Sequence, residues 1–129
     1  MQGNSNGPLT GLKVIDMTHH LAGPTCGLML ADLGAEVIKI EKIPGGDDSR
    51  RSVPPKIADE SAAFMMLNRN KRGVALDLKT DSGKQILRRL TADADILIEN
   101  FRPGTMERLG VGYESLKENN PGLIYGIIS

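Results

Sequence analysis

Ala92-Asp-Ala-Asp-Ile-Leu-Ile-Glu-Asn-Phe-Arg-Pro-Gly104 is the most informative stretch of the chain, because a short apolar run is followed at once by polar, aromatic and basic residues. The apolar residues 96–98 are typical of a strand that is buried on both faces of a parallel sheet. Sheets of this kind bind ligands beyond the carboxyl ends of their strands. We therefore expect Asn100, Phe101 and Arg102 to lie beside a ligand site.

Upstream of this stretch, residues 12–16 and 36–40 predict two more strands with a helix between them. Pro24 near the start and Gly34 past the end are the residues that commonly begin and end a helix. The helix is expected to bury an apolar face made of Leu28, Met29, Leu30 and Leu33. Strand, helix and strand then form a right-handed parallel crossover unit.

The remaining elements continue this alternation and predict an α/β fold, a parallel sheet with flanking helices. Residues 45–59 lack periodicity and predict a long surface loop. Further helices are predicted at 61–67, at 81–91 with Thr80 or Asp81 as the cap, and in parts of 107–120; further strands are predicted at 73–76 and 123–128. Because a parallel strand at the very end leaves the sheet without its usual cover, we expect the N-terminal piece of a larger protein. A small complete domain with an edge strand is the alternative.

Composition limits the classes of function. The chain has 129 residues, of which 40% are hydrophobic, and this is enough for one domain. Sixteen Lys and Arg residues balance sixteen Asp and Glu residues, so no overall field favours nucleic acid or an anionic membrane. No apolar run reaches membrane-spanning length, and residues 1–8 predict a flexible N-terminal tail. The single Cys26 fits a reducing, cytoplasmic setting, and no Cys/His spacing predicts a metal site.

Several familiar catalytic and nucleotide-binding motifs are absent. The sequence contains no Gly-x-Gly-x-x-Gly, no phosphate-loop lysine pattern and no Gly-x-Ser-x-Gly. These absences argue against simple NAD-binding, ATP-binding and serine hydrolase functions.

The residues that remain indicate an anionic ligand. His19 and His20 follow the first predicted strand, where a helix N-terminus favours an anion such as a phosphate; paired histidines in a loop are also often simply solvated. Positive charge near predicted strand ends suits a polyanion that carries a diphosphate, although most charged residues are ordinary surface. These cations are Lys42, Arg69, Lys71, Arg72, Lys79 and Arg108.

Ordered blocks along the chain resemble the N-terminal region of the class III CoA-transferases, the CaiB/BaiF type that includes formyl-CoA transferase. The blocks include Ala22-Gly-Pro24, Leu33-Gly-Ala-Glu-Val-Ile-Lys-Ile-Glu41, Asn68-Arg-Asn-Lys-Arg72, Glu99-Asn-Phe-Arg-Pro-Gly104 and Leu109-Gly-Val-Gly-Tyr113. The resemblance implies that residues 9–129 are the N-terminal part of a Rossmann-like large domain. In the complete enzyme, it implies a homodimer of two interlocked subunits.

The resemblance also implies which residues contact CoA. These are His19, Ala22, Lys42, Leu76, Lys79, Asn100, Phe101 and Arg108. Acyl-CoA and a small carboxylic acid would be the substrates, with no metal. Leu21 stands where formyl-CoA transferase has a polar residue, which argues against specificity for formate or oxalate.

In this family an aspartate attacks the acyl-CoA thioester, and the acyl group then exchanges through an anhydride and an enzyme thioester. The resemblance places that aspartate beyond Ser129, so we expect no catalytic residue in this chain and no activity from it alone. Two alternatives remain: an α-methylacyl-CoA racemase of the same fold, and a non-catalytic CoA-binding fragment.

Overall fold

A central sheet of five parallel strands organises the chain, for which a computed structural model describes residues 6–129. The sheet has the order β5-β2-β1-β6-β7 and consists of β1 (Lys13–Asp16), β2 (Glu36–Lys42), β5 (Lys71–Leu76), β6 (Ile96–Glu99) and β7 (Ile124–Ile127). The main helices are α1 (Ala22–Asp32), α2 (Ala62–Asn68) and α3 (Asp81–Thr91), with the short α4 (Thr105–Arg108) and α5 (Tyr113–Lys117) after β6. The predicted α/β class is confirmed.

The strands at the centre of the sheet are apolar because both of their faces are covered. Val14 and Ile15 of β1 and Leu97 of β6 are fully buried, and Asp16 of β1 lies beside Ile98 of β6. One core cluster contains Ile15 and Leu97, and a second contains Val14. The parallel pairing of β1 with β6 therefore places the carboxyl ends of the two strands side by side.

The prediction of an irregular loop over residues 45–59 was wrong in part. A 3-10 helix spans Asp48–Arg51, and the two-stranded hairpin of β3 (Lys56–Ile57) and β4 (Glu60–Ser61) follows it. The carboxylate of Asp47 caps the 3-10 helix by accepting a hydrogen bond from the Ser49 amide. Local side-chain to backbone bonds of this type leave no hydrophobic period in the sequence, so the pattern could not reveal them.

The predicted buried face of α1 was also wrong at two positions. The side chains of Met29 and Leu33 are 63% and 45% exposed, whereas the helix buries Gly23, Pro24, Gly27, Leu28 and Ala31. Small residues bring this helix close to the sheet. An ideal Cβ on Gly27 would lie 2.3 Å from Oδ2 of Asp16, and one on Gly23 would lie 2.2 Å from Cβ of Thr18. Helix α1 therefore packs on the carboxyl end of β1 through glycine.

The first residues of the predicted tail, 1–5, lie outside the described residues. Within the described part, the Gly7 amide donates to Oγ1 of Thr10, and the Leu9 amide donates to the carbonyl of Leu33. None of the helices in residues 6–129 has the length and apolar character that crossing a membrane requires.

Candidate functional site

The loops that follow β1 and β6 are joined by a reciprocal pair of hydrogen bonds. The His19 amide donates to Oδ1 of Asn100 at 2.8 Å, and Nδ2 of Asn100 donates to the His19 carbonyl at 2.9 Å. The rings of His19 and Phe101 meet edge to face with centroids 5.3 Å apart. Three of the predicted site residues are thus brought into direct contact at the carboxyl edge of the sheet, where ligands bind in open parallel sheets.

The His19 imidazole lies half-buried in this junction and is biased toward its neutral form. Nδ1 is buried and has no hydrogen-bond partner among the described residues. Burial lowers the pKa of His19, and the positive charges of Lys39 and Lys42 lower it further, against the opposing effect of Asp47. An unpaired polar atom costs free energy when buried, and the neutral ring, which has one N–H fewer to satisfy, keeps that cost low.

Phe101 is fixed from the other side by Glu99, the last residue of β6. The buried Glu99 carboxylate accepts the Phe101 amide through Oε2 at 2.7 Å. Burial raises the pKa of Glu99, and the bond from the Phe101 amide counteracts that rise. The backbone of the Asn100–Phe101 turn is therefore held by a side chain that the sequence analysis did not select.

Lys42 and Leu76 lie at the carboxyl ends of β2 and β5 as direct partners in the parallel ladder. Leu76 is buried, whereas the Lys42 side chain is 49% exposed and its Nζ lies 2.8 Å from Oδ1 of Asp48. The hydrogen bond from Lys42 lowers the pKa of Asp48. Lys42 thus presents a partly neutralised cation at the same edge as His19.

The other three predicted contacts stand on exposed positions after strands. Ala22 is the first residue of α1, and Lys79 lies in the turn after β5, where its amide donates to Oδ1 of Asp77 at 2.9 Å. Arg108 ends α4, and its Nη2 donates to Oγ1 of Thr105 at 3.0 Å. Both cations are exposed to solvent, and within the described residues neither side chain is hydrogen-bonded to His19 or Asn100.

The prediction that Arg69, Lys71 and Arg72 offer charge to a polyanion was wrong. Lys71 is 1% exposed, and its Nζ lies 2.8 Å from Oδ2 of Asp16. The guanidinium groups of Arg69 and Arg72 pair at 2.6 Å with Asp32 and at 2.7 Å with Glu36, at the end of α1 and the start of β2. These pairs face the amino edge of the sheet, so the two arginines lie away from the candidate site.

A buried polar cluster, which we call the Asp47 cluster and which comprises Asp47, Lys39, Ser49 and the amide of His20, supports the first loop. Asp47 is fully buried, with Oδ2 at 2.8 Å from Nζ of Lys39. Its Oδ1 accepts the His20 amide at 3.1 Å and both the amide and the hydroxyl of Ser49 at 2.9 Å. The sequence analysis missed this cluster, although a lysine inside the apolar run Val37-Ile-Lys-Ile40 was a signal for a buried charge partner.

The described residues hold no group of three His, Cys, Asp or Glu side chains arranged to bind a metal ion. The chemistry that residues 6–129 present at the carboxyl edge is hydrogen bonding, an aromatic face and exposed positive charge. This set suits recognition of a ligand with phosphates and a base.

Comparison with known proteins identifies relatives along nearly the whole chain. A family model described as CoA-transferase family III matches residues 9–129. Human succinyl-CoA:glutarate CoA-transferase is 43% identical over 95% of this chain and 28% of its own length. Acetyl-CoA:oxalate CoA-transferase of Acetobacter aceti is 48% identical over 92% of this chain and 30% of its own length.

Solved structures agree with this similarity. The crystal structure of a CaiB/BaiF family protein from Brucella suis matches with a TM-score of 0.90 and 47% identity, over 96% of this chain and 34% of that one. The chain therefore spans about a third or less of the length of the relatives that it matches.

Proposed function

The chain belongs to CoA-transferase family III, and we propose on that basis that it supplies CoA-binding residues to an enzyme that moves CoA from an acyl-CoA donor to a carboxylic acid. The observation that carries the proposal is the reciprocal bonding of His19 with Asn100 beside the Phe101 ring. This junction stands where two central parallel strands end, which is the position at which open sheets of this class bind nucleotides.

In the proposed site, each residue has a separate task. The Phe101 ring offers a face on which the adenine base stacks, and the exposed part of the half-buried His19 ring lies beside it, edge to face with Phe101. Lys42, Lys79 and Arg108 attract the phosphates with charge-assisted bonds. Ala22 contributes exposed surface at the start of α1, and the buried Leu76 packs beneath the edge of the site.

The proposed chemistry needs a carboxylate nucleophile that we assign to the part of the longer protein after Ser129. That carboxylate attacks the thioester carbon, and the CoA thiolate leaves to give a mixed anhydride. The thiolate then attacks the enzyme's carbonyl of this anhydride, which releases the donor acid and forms an enzyme thioester with CoA. The acceptor acid displaces CoA from that thioester to give a second anhydride, and the CoA thiolate attacks the acceptor's acyl carbon, which gives the new acyl-CoA and frees the carboxylate. A homodimer and a cytoplasmic location are part of the same proposal. The human relative is named for glutarate and the Acetobacter aceti relative for oxalate; because Leu21 argues against oxalate, glutarate is the first acceptor to test.

An exchange assay tests the reaction itself. In the longer protein, incubation of succinyl-CoA with glutarate is expected to give glutaryl-CoA and succinate, and no deuterium is expected at the α-carbon in heavy water. Deuterium uptake at that carbon without exchange would identify the racemase instead. The 129-residue chain alone is expected to catalyse neither reaction.

Phe101 provides a mutational test of the proposed base stacking. Replacement of Phe101 by leucine keeps apolar volume against the core and removes the aromatic face, so we expect CoA binding to weaken by about 1–3 kcal/mol. The measurement is a calorimetric titration of the chain with CoA. Tyr113→Ala, which removes an exposed ring on α5, is the control and is expected to leave the affinity for CoA unchanged. Equal affinities for wild type and Phe101→Leu would exclude stacking on this ring.

A further inference from the structure

The turn that carries His19 has a backbone conformation that needs external support. His20 has a φ of 68°, a left-handed conformation that is unfavourable for a residue with a side chain. Its amide points at Asp47, which lies 27 positions further along the chain and accepts it at 3.1 Å. Because His20 directly follows His19, the same bond restricts where the His19 ring can lie.

Asp47 is itself held by an ion pair at Oδ2, by hydrogen bonds to Oδ1 and by a bond from its own amide. Nζ of Lys39 contacts Oδ2 at 2.8 Å and also donates to the carbonyl of Thr18 at 2.8 Å, so one ammonium joins the carboxylate to the chain just before His19. Ser49 donates twice to Oδ1, and the amide of Asp47 donates to Oε2 of Glu41 at 2.9 Å. Lys39 and Asp47 are 2% and 0% exposed, which leaves no room for a direct contact with a ligand.

We propose that Asp47, held by Lys39, is a positioning residue that fixes the His19–His20 turn in its CoA-binding conformation. The inference rests on the proposed function, since it concerns the same site. Asp47 acts on the turn in two ways: its Oδ1 accepts the His20 amide, and its charge faces the His19 ring. The other charged groups that act on that ring are Lys39 and Lys42 of β2 and Asp48 of the 3-10 helix, whereas Asn100 and Phe101 face it from the β6 side without charge.

The test compares three variants of the full 129-residue chain, each checked for folding by circular dichroism. Asp47→Ala removes the acceptor and the charge. Asp47→Asn/Lys39→Met keeps an oxygen acceptor for the His20 amide and removes both buried charges. Val37→Ala is the matched control, because it creates a cavity at a fully buried position of the second core cluster and leaves the turn untouched.

Two measurements report on the conformation of the His19–His20 turn in the absence of CoA. In Asp47→Ala, hydrogen exchange of the His20 amide is expected to become as fast as that of an unbonded amide, while the double variant keeps its protection. The pKa of the His19 ring, followed by NMR, is expected to fall in Asp47→Ala because the carboxylate raises it and Lys39 and Lys42 lower it. Val37→Ala is expected to change neither readout. If Asp47 contributed only to overall stability, Asp47→Ala would behave like this control.

The third readout is CoA affinity by calorimetry. Asp47→Ala is expected to weaken binding about tenfold, as the loss of one hydrogen bond to a charged group would. The double variant is expected to regain most of that affinity. Wild-type affinity in folded Asp47→Ala, or an equal loss in Val37→Ala, would overturn the inference. If Asp47→Ala does not fold, an unprotected His20 amide in the folded double variant overturns it. A wild-type chain that binds no CoA would refute the proposed function, while the exchange and ring readouts would still decide whether Asp47 positions the turn.

Discussion

Replacement of Asp16 by alanine is expected to lower the free energy of unfolding by about 3–5 kcal/mol, because it leaves the Lys71 ammonium buried without its carboxylate. The two side chains are 0% and 1% exposed, and Nζ lies 2.8 Å from Oδ2. Among residues 6–129, Nζ keeps only the neutral acceptors Pro24 O at 2.8 Å and Asn68 Oδ1 at 3.0 Å. Chemical denaturation at neutral pH measures the loss.

The loss of stability in Asp16→Ala is expected to depend on pH. Burial lowers the pKa of Lys71, and the charge of Asp16 raises it. Without Asp16 the folded-state pKa falls further, so the folded protein releases the proton at a lower pH than the unfolded chain does. Between these two pKa values the free energy of unfolding of the variant rises with pH. The difference in free energy of unfolding between wild type and Asp16→Ala is therefore expected to become smaller under alkaline conditions.

The control for Asp16→Ala is Asp93→Ala, which removes an ion pair with the same N to O distance. Nζ of Lys13 lies 2.8 Å from Oδ1 of Asp93, but the Asp93 side chain is 71% exposed. Solvent screens such a pair, so we expect almost no change in the free energy of unfolding. Equal losses for the two variants would contradict the account of Asp16 and Lys71 as a buried, mutually dependent pair.

Replacement of Asn100 by alanine is expected to weaken CoA binding roughly 30-fold, since each of its two bonds to His19 is worth about 1 kcal/mol. Both bonds join the loop after β1 to the loop after β6. Their loss leaves the amide and carbonyl of His19 unpaired and lets the His19 and Phe101 rings separate. Calorimetric titration with CoA measures the change.

Asn120 provides a matched control for the Asn100 variant. Its Nδ2 also makes two bonds to the backbone, to Thr91 O at 2.9 Å and to Ala94 O at 2.7 Å, near the start of β6 and away from the carboxyl edge. Asn120→Ala is expected to lower stability and to leave CoA affinity as it is. An Asn100→Ala chain that is folded and binds CoA like wild type would show that the junction is not the binding site.

The parallel sheet was predictable because apolar runs such as residues 96–98 mark strands with two buried faces. The helix at 81–91 was predicted with the bounds that α3 has, because Thr80 is a standard cap and its hydroxyl accepts the Gly83 amide at 3.1 Å. The 3-10 helix at Asp48–Arg51 was not predictable from periodicity, since it depends on the cap that Asp47 provides.

For the site, residue type and strand ends indicated His19, Asn100 and Phe101, and the structure brings these three together. The same reasoning failed for Arg69 and Lys71, because a sequence does not show that their charges already have the partners Asp32 and Asp16. It also missed Asp47, whose contact with His20 joins positions 27 residues apart along the chain. Pairings of this kind depend on tertiary structure, which a local pattern does not encode.

We propose that this chain holds a CoA site in which exposed cations bind phosphate. The most direct test is calorimetric titration of the folded 129-residue chain with CoA and with CoA that lacks the 3′-phosphate. We expect CoA to bind and loss of the 3′-phosphate to weaken binding roughly tenfold, the effect of one charge-assisted hydrogen bond. A folded chain that binds neither compound, or binds both equally, would contradict the claim.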